Sequence, residues 1–133
     1  MKILITGITG QDGIFLTKLL NDVYKNYEII GISRYLTKSQ LEKKAKENFH
    51  NLKILNINLL SKNEVNNLLI NVEPNIVFNL SGPSSVYESL KNQNIENEIK
   101  IIFNNLTDSL IENRNFCKFF QASSSEMYGL NNK

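Results

Sequence analysis

The sequence is short of cysteine, histidine, arginine and long apolar runs, and each shortage removes a class of function. Its 133 residues include one cysteine, Cys117. No intrachain disulfide framework can form, and no metal site can be built from cysteine alone. Histidine occurs once, at His50, which leaves imidazole-based metal or triad chemistry without a second member. Arginine occurs only at Arg34 and Arg114. Fifteen basic and thirteen acidic side chains leave a formal charge of +2, too little for a nucleic-acid footprint. No apolar run approaches the roughly 20 residues that cross a bilayer. The apolar stretch at residues 1–7 is too short for a secretory leader, whose core takes about 7–15 residues. Together these absences predict a cytoplasmic, reducing setting with no metal, no membrane and no nucleic-acid partner. The abundance of Asn, Ile and Lys reads as a codon bias of an AT-rich genome rather than as a functional signal.

What is present is enough for one domain. Apolar residues make up 41% and charged residues 21%, so a core can be buried. Short β-branched or apolar runs alternate with helical patterns. Lys2–Thr6, residues 27–33, 53–57, 75–80 and 118–122 read as five strands. Between them, Phe15, Leu16, Leu19, Leu20 and Val23 recur at helical spacing. Val65, Leu68, Leu69 and Val72 do the same after a capping-box pattern at Ser61 and Glu64, and Pro74 stops that helix. Ile95, Ile99, Ile102, Phe103, Leu106 and Leu110 trace one face of a longer helix. Residues 36–49 are charged and weakly periodic, which predicts a solvated helix or a loop with a helical turn. Alternating strands and helices imply an α/β fold: a Rossmann-type, doubly wound parallel sheet of about five strands, in order 3-2-1-4-5.

In such a sheet ligands sit at the carboxyl ends of the strands, where strand order reverses. That point is the turn Gly7-Ile8-Thr9-Gly10-Gln11-Asp12-Gly13 after the first strand. Its glycines allow a tight turn and a close approach of backbone N–H groups to a pyrophosphate, and the next helix adds the positive end of its dipole. The loop lacks the Gly-Lys-Ser/Thr ending of a triphosphatase. At the end of the second strand an acidic residue would bind the ribose 2′-hydroxyl of NAD. Here stands Gly31-Ile32-Ser33-Arg34, a cation beside a hydroxyl, which favours the 2′-phosphate of NADP while leaving NAD open. At the end of the third strand the amide oxygen of Asn58 can accept a hydrogen bond from an adenine amino group.

Three segments then resemble the extended short-chain dehydrogenases/reductases that modify sugar nucleotides, most closely the GDP-mannose 4,6-dehydratases. They are Leu4-Ile5-Thr6-Gly7-Ile8-Thr9-Gly10-Gln11-Asp12-Gly13, Phe78-Asn79-Leu80-Ser81-Gly82-Pro83-Ser84-Ser85-Val86 and Phe120-Gln121-Ala122-Ser123-Ser124-Ser125-Glu126-Met127-Tyr128-Gly129. The resemblance covers the chain and less than half of the family's usual length. It implies that residues 7–12 hold the pyrophosphate, that Arg34 faces the 2′-phosphate and that Asn58 and Leu59 bracket the adenine. It places Leu80, Ser81, Gly82 and Ser84 on the nicotinamide side. Ser124 matches a catalytic threonine or serine, and Glu126 a catalytic glutamate. The implied reaction converts GDP-mannose to GDP-4-dehydro-6-deoxy-mannose. Hydride leaves sugar C4, water is lost across C5–C6 and hydride returns at C6. Ser124 would hydrogen-bond the C4 oxygen and Glu126 would act as acid/base.

The family's catalytic Tyr-x-x-x-Lys follows the fifth strand. The sequence has one such spacing, Tyr87 and Lys91, but it follows the fourth strand and reads as ordinary surface. The expectation is therefore a single NAD(P)-binding domain over residues 1–133, incomplete relative to the family and inactive alone. It would lack the later strands and the sugar-binding region, leave its fifth strand as an exposed edge, and have a long helix suited to core packing or to a homo-oligomer. Two alternatives stay open: a non-catalytic NAD(P)-binding module or decayed fragment, and another sugar-nucleotide epimerase or reductase.

Overall fold

The computed structural model describes residues 1–82 and 93–123, with the side chains of residues 93–96 left out. Five strands form one sheet: β1 (Lys2–Thr6), β2 (Glu28–Ile32), β3 (Leu52–Leu55), β4 (Ile76–Asn79) and β5 (Lys118–Gln121). The helices between them are α1 (Gln11–Val23), α2 (Lys38–Ala45), α3 (Lys62–Val72) and α4 (Gln93–Glu112). The strand order is β3-β2-β1-β4-β5, and every pairing is parallel. Leu4 stands level with Ile30 on one side and Val77 on the other. The predicted order and all five strands are thus present, with ends shifted by a residue or two.

Alternation along the strands sorts their side chains into two cores. On one face Leu4, Ile30 and Val77 meet Val65, Leu68, Leu69 and Val72 of α3 and Leu106 and Leu110 of α4. On the other, Ile3, Ile5 and Ile29 meet Leu20 of α1 and Leu41 and Ala45 of α2. Each fully buried Leu or Ile contributes on the order of 1.5–3 kcal/mol of transfer free energy, so both helical layers are held mainly by apolar burial. Cys117 packs at the edge of the first core, and burial pushes its thiol pKa up.

Three local expectations change in the structure. The charged stretch at residues 36–49 is not simply solvated: α2 buries Leu41 completely, and Phe49 beyond it is 1% exposed. Three apolar side chains in a Lys-rich segment suffice to fix the helix, although its periodicity is weak. The face of α1 is also rotated from the apolar reading. Gly13, Thr17 and Leu20 are buried, whereas Phe15, Leu19 and Val23 are more than half exposed. Thr17 can turn inward because its hydroxyl donates to the Gly13 carbonyl at 2.7 Å. Finally, the capping box at Ser61 is only half formed. Ser61 accepts from the Glu64 N–H, but the Glu64 carboxylate reaches past Ser61 to the Asn58 N–H at 2.8 Å.

Candidate functional site

The carboxyl ends of β1, β2 and β3 open into a cleft of about 540 Å³, within the usual size of a small-molecule site. Its lining includes Gly7, Thr9, Arg34, Asn58, Leu59, Ser81 and Gly82, seven of the residues singled out from the sequence.

The turn after β1 is shaped by close backbone approach. Gly7 has φ of +66°, and a Cβ there would land on the Leu80 carbonyl. A Cβ on Gly13 would sit 2.5 Å from the Gly7 carbonyl oxygen. Glycine at both positions lets the start of α1 press against the end of β1. Ile8 is fully buried and lies over Gly31 of β2, so its side chain serves the core rather than the cleft. Gly10 is the N-cap of α1 and has no side chain with which to cap. By contrast, Thr37 caps α2 and Ser61 caps α3. The Ile14 N–H is satisfied by the Gly10 carbonyl, while the first-turn amides at Gln11, Asp12 and Gly13 have no side-chain cap. Uncapped N–H groups at the positive end of a helix dipole fit a diphosphate.

The walls are set by side chains that hold backbone. Buried Ser33 accepts from the N–H groups of Tyr35 and Leu36, at 3.3 and 2.8 Å. Its hydroxyl oxygen thus builds the turn that presents Arg34, beyond the place beside a ligand that its sequence position suggests. Arg34 is exposed, its guanidinium 5.4 Å from the Tyr35 ring centroid. Asn58 is clamped through its N–H by Glu64, and its Oδ1 accepts from the Leu60 N–H at 3.1 Å. One lone pair of the oxygen assigned to adenine is therefore already engaged. The Leu59 carbonyl accepts from Asn105 of α4 at 2.9 Å. Ile99, Ile102 and Glu98 of α4 close the far side.

A buried polar chain links the strand ends. Thr6 donates its hydroxyl to Asn79 Oδ1, Asn79 Nδ2 donates to Gln121 Oε1 at 2.7 Å, and Gln121 Nε2 donates to the Ala122 carbonyl at 2.7 Å. It bridges β1, β4 and β5 just before the segment that carries Ser124. Leu80 packs with the α1-side core rather than lining the cleft. Ser84, Tyr87, Lys91, Ser124 and Glu126 lie outside the described residues.

Sequence reasoning missed Lys44. It extends from the last turn of α2 into the cleft lining and donates to the Thr9 carbonyl at 2.6 Å. Its signal is hidden in a charged segment whose weak periodicity predicts a solvated helix or a loop with a helical turn; only the inward face of Leu41 and Ala45 fixes which lysine turns toward the glycine turn. Among the described residues no group of His, Cys, Asp and Glu converges as a metal site would, and no helix is long and apolar enough to cross a membrane.

An all-parallel sheet in the order β3-β2-β1-β4-β5, helices packed on both faces and an uncapped glycine turn at the switch point define a Rossmann-type fold. Solved structures share it. The UDP-Glc/GlcNAc 4-epimerase of Campylobacter jejuni superposes with a TM-score of 0.83 at 20% identity, over 99% of this chain and 40% of that one. The UDP-glucose 4-epimerase of Bifidobacterium longum, solved with NAD+ and UDP, gives 0.78 at 18% identity, over 100% of this chain and 40% of that one. Sequence narrows the class further. The profile of the GDP-mannose 4,6 dehydratase family matches residues 4–133. A GDP-mannose 4,6-dehydratase of Vibrio cholerae serotype O1 is 36% identical over 96% of this chain, and the human one 31% over 95%. The chain belongs to the GDP-mannose 4,6-dehydratase family. It spans 36% of the length of each of these two relatives.

Proposed function

We propose that the chain is the NADP-binding part of a sugar-nucleotide dehydratase acting on GDP-mannose. The observation that carries this reading is the uncapped start of α1, pressed against Gly7 at the mouth of a cleft, in a chain of this family. The amides of the turn from Gly7 to Gly13, with Ile8, Thr9, Gly10, Gln11 and Asp12 between, hold the pyrophosphate. Arg34 meets the 2′-phosphate, and Asn58 and Leu59 flank the adenine. Ser81, Gly82 and Ser84 line the nicotinamide side, with Leu80 braced beneath Gly7. The bound dinucleotide supplies reversible hydride storage. Ser124 hydrogen-bonds the sugar C4 oxygen, and Glu126 takes the C5 proton and assists departure of the C6 hydroxyl. A cytoplasmic setting belongs to the same reading, as does self-association through α4, where Ile101, Phe103 and Ile111 are exposed.

These 133 residues bind but do not turn over, because the family's Tyr-x-x-x-Lys after the fifth strand is not among them. The test is calorimetry with NADP and NAD, together with incubation of the chain with GDP-mannose and NADP. The expected result is NADP binding tighter than NAD and no 4-keto-6-deoxy product. Binding of neither dinucleotide would favour a decayed fragment, and product formed by these 133 residues would overturn their assignment as inactive alone. The epimerase alternative has the solved neighbours in its favour, which at 18–20% identity speak for the fold.

A further inference from the structure

The cleft carries two cations on the wall formed by the end of β2, α2 and the glycine turn: Arg34 and Lys44. Neither has a carboxylate within ion-pair distance among the described residues, although Lys18, Lys38 and Lys62 are each paired elsewhere. The one acidic residue in the described lining, Glu98, stands on α4. Lys44 Nζ donates to the Thr9 carbonyl, and an ammonium has three N–H bonds. Two donors remain for a ligand at the place where the turn meets the end of β2, which is where this fold seats the adenosine ribose.

Resting on the reading of the cleft as a dinucleotide site, we propose that Lys44 is a cofactor-specificity residue, a second cation that binds the ribose 2′-phosphate alongside Arg34. The division of labour follows from chemistry. Arg34, fixed by the Ser33 turn and lying beside Tyr35, offers a planar fork to one side of a phosphate. Lys44, tethered at Thr9, offers a compact charge from the other side. A ligand with a free 2′-hydroxyl gives Lys44 nothing to neutralise, so its contribution is selective for the phosphorylated dinucleotide. Because Lys44 is an exposed side chain on the surface of α2, its removal leaves the fold intact.

The test is calorimetry of the unaltered chain, Lys44→Gln, Lys44→Arg and Arg34→Gln with NADP and NAD, at two salt concentrations, with circular dichroism to confirm the fold. Lys44→Gln is expected to weaken NADP about tenfold, the equivalent of one charge contact of about 1.4 kcal/mol, and to change NAD less than about twofold. The salt dependence of NADP binding should become shallower, and Lys44→Arg should retain most of the preference. Equal losses for both dinucleotides would overturn the proposal and leave Lys44 as a brace for Thr9. No loss for either would also overturn it. If the unaltered chain binds neither, the cleft reading itself fails, an outcome visible before any variant is made.

Discussion

The two halves of the sheet are finished to different degrees. Along β1 every residue from Ile3 to Thr6 is buried, and along β2 every residue from Ile29 to Ile32. In β4 burial alternates, with Ile76 and Phe78 only half covered, and in β5 none of the four residues is fully buried. The covered half holds the glycine turn, Arg34, Lys44 and Asn58. The open half leads into the segment with Ser124 and Glu126. On the α3 and α4 side both halves are packed, for Val77 is in the core and Phe119 meets Phe103 edge-on at 6.0 Å between centroids. The shortfall is therefore on one face alone, the α1 side, where Phe78 and Phe120 contact each other at 5.7 Å and Phe120 is 52% exposed. β3, at the opposite edge, has only Leu52 buried among its four residues, so within the described residues the contrast is between the covered strands β1 and β2 and the less covered β4 and β5.

The largest effect should come from breaking the covered half at its tightest contact. Gly7→Val places a β-branched residue at φ +66° and drives its Cβ into the Leu80 backbone. Left-handed strain costs about 1–3 kcal/mol and overpacking a similar amount, so a loss of about 3 kcal/mol or more is expected, with dinucleotide binding abolished. Urea unfolding followed by circular dichroism reads the first and calorimetry the second. A variant of unchanged stability would mean that the turn does not approach Leu80 as described.

A smaller loss is expected where the halves are joined. Asn79 is 1% exposed and links Thr6 to Gln121 across three strands. Asn79→Leu keeps the branched shape but leaves the Thr6 hydroxyl without its acceptor and Gln121 Oε1 without its donor, and each unsatisfied buried group costs about 1–3 kcal/mol. Thr6 is the more deeply buried of the two, so a net loss of about 2 kcal/mol is expected from denaturant melts. The double variant Thr6→Val, Asn79→Leu should recover part of it, because removing both partners avoids the orphaned hydroxyl. No recovery would show that the link between the halves does not run through Thr6.

The contrast also marks what could be read from the sequence. Strand order and the glycine turn were legible because periodicity, β-branching and glycine spacing are local. The burial of Leu41 and Phe49 was not, since a helix fixed by three apolar contacts carries little periodic signal. The inward turn of Thr17 was hidden for a different reason: its hydroxyl is satisfied by its own helix, so a polar residue occupies an apolar position. The reach of Glu64 to Asn58 and of Lys44 to Thr9 depends on how elements distant in sequence are stacked, and neither spacing announces it. The sequence shows Ser33 as a hydroxyl beside a cation, but only the fold shows its oxygen holding the turn.

The smallest effect should come from the open half, and it sharpens the comparison when set against a matched change in the closed one. Leu41→Ala deletes a fully buried side chain from the α1-side core and should cost about 2–5 kcal/mol. Phe120→Ser removes a larger side chain from the same face of the sheet, but one that is half exposed and whose ring lies beside that of Phe78. Losing half a ring's burial and its contact with Phe78 should cost about 1 kcal/mol, still well below the cost at Leu41. The two variants thus test coverage rather than residue size, with denaturant midpoints as the measure. Phe120→Ser should also raise solubility, since it breaks an exposed apolar patch beside an edge strand, which sedimentation at increasing concentration would register. Should Phe120→Ser cost as much as Leu41→Ala, the α1 side of β5 is covered in solution, and the difference between the two halves is smaller than the burial of their strands implies.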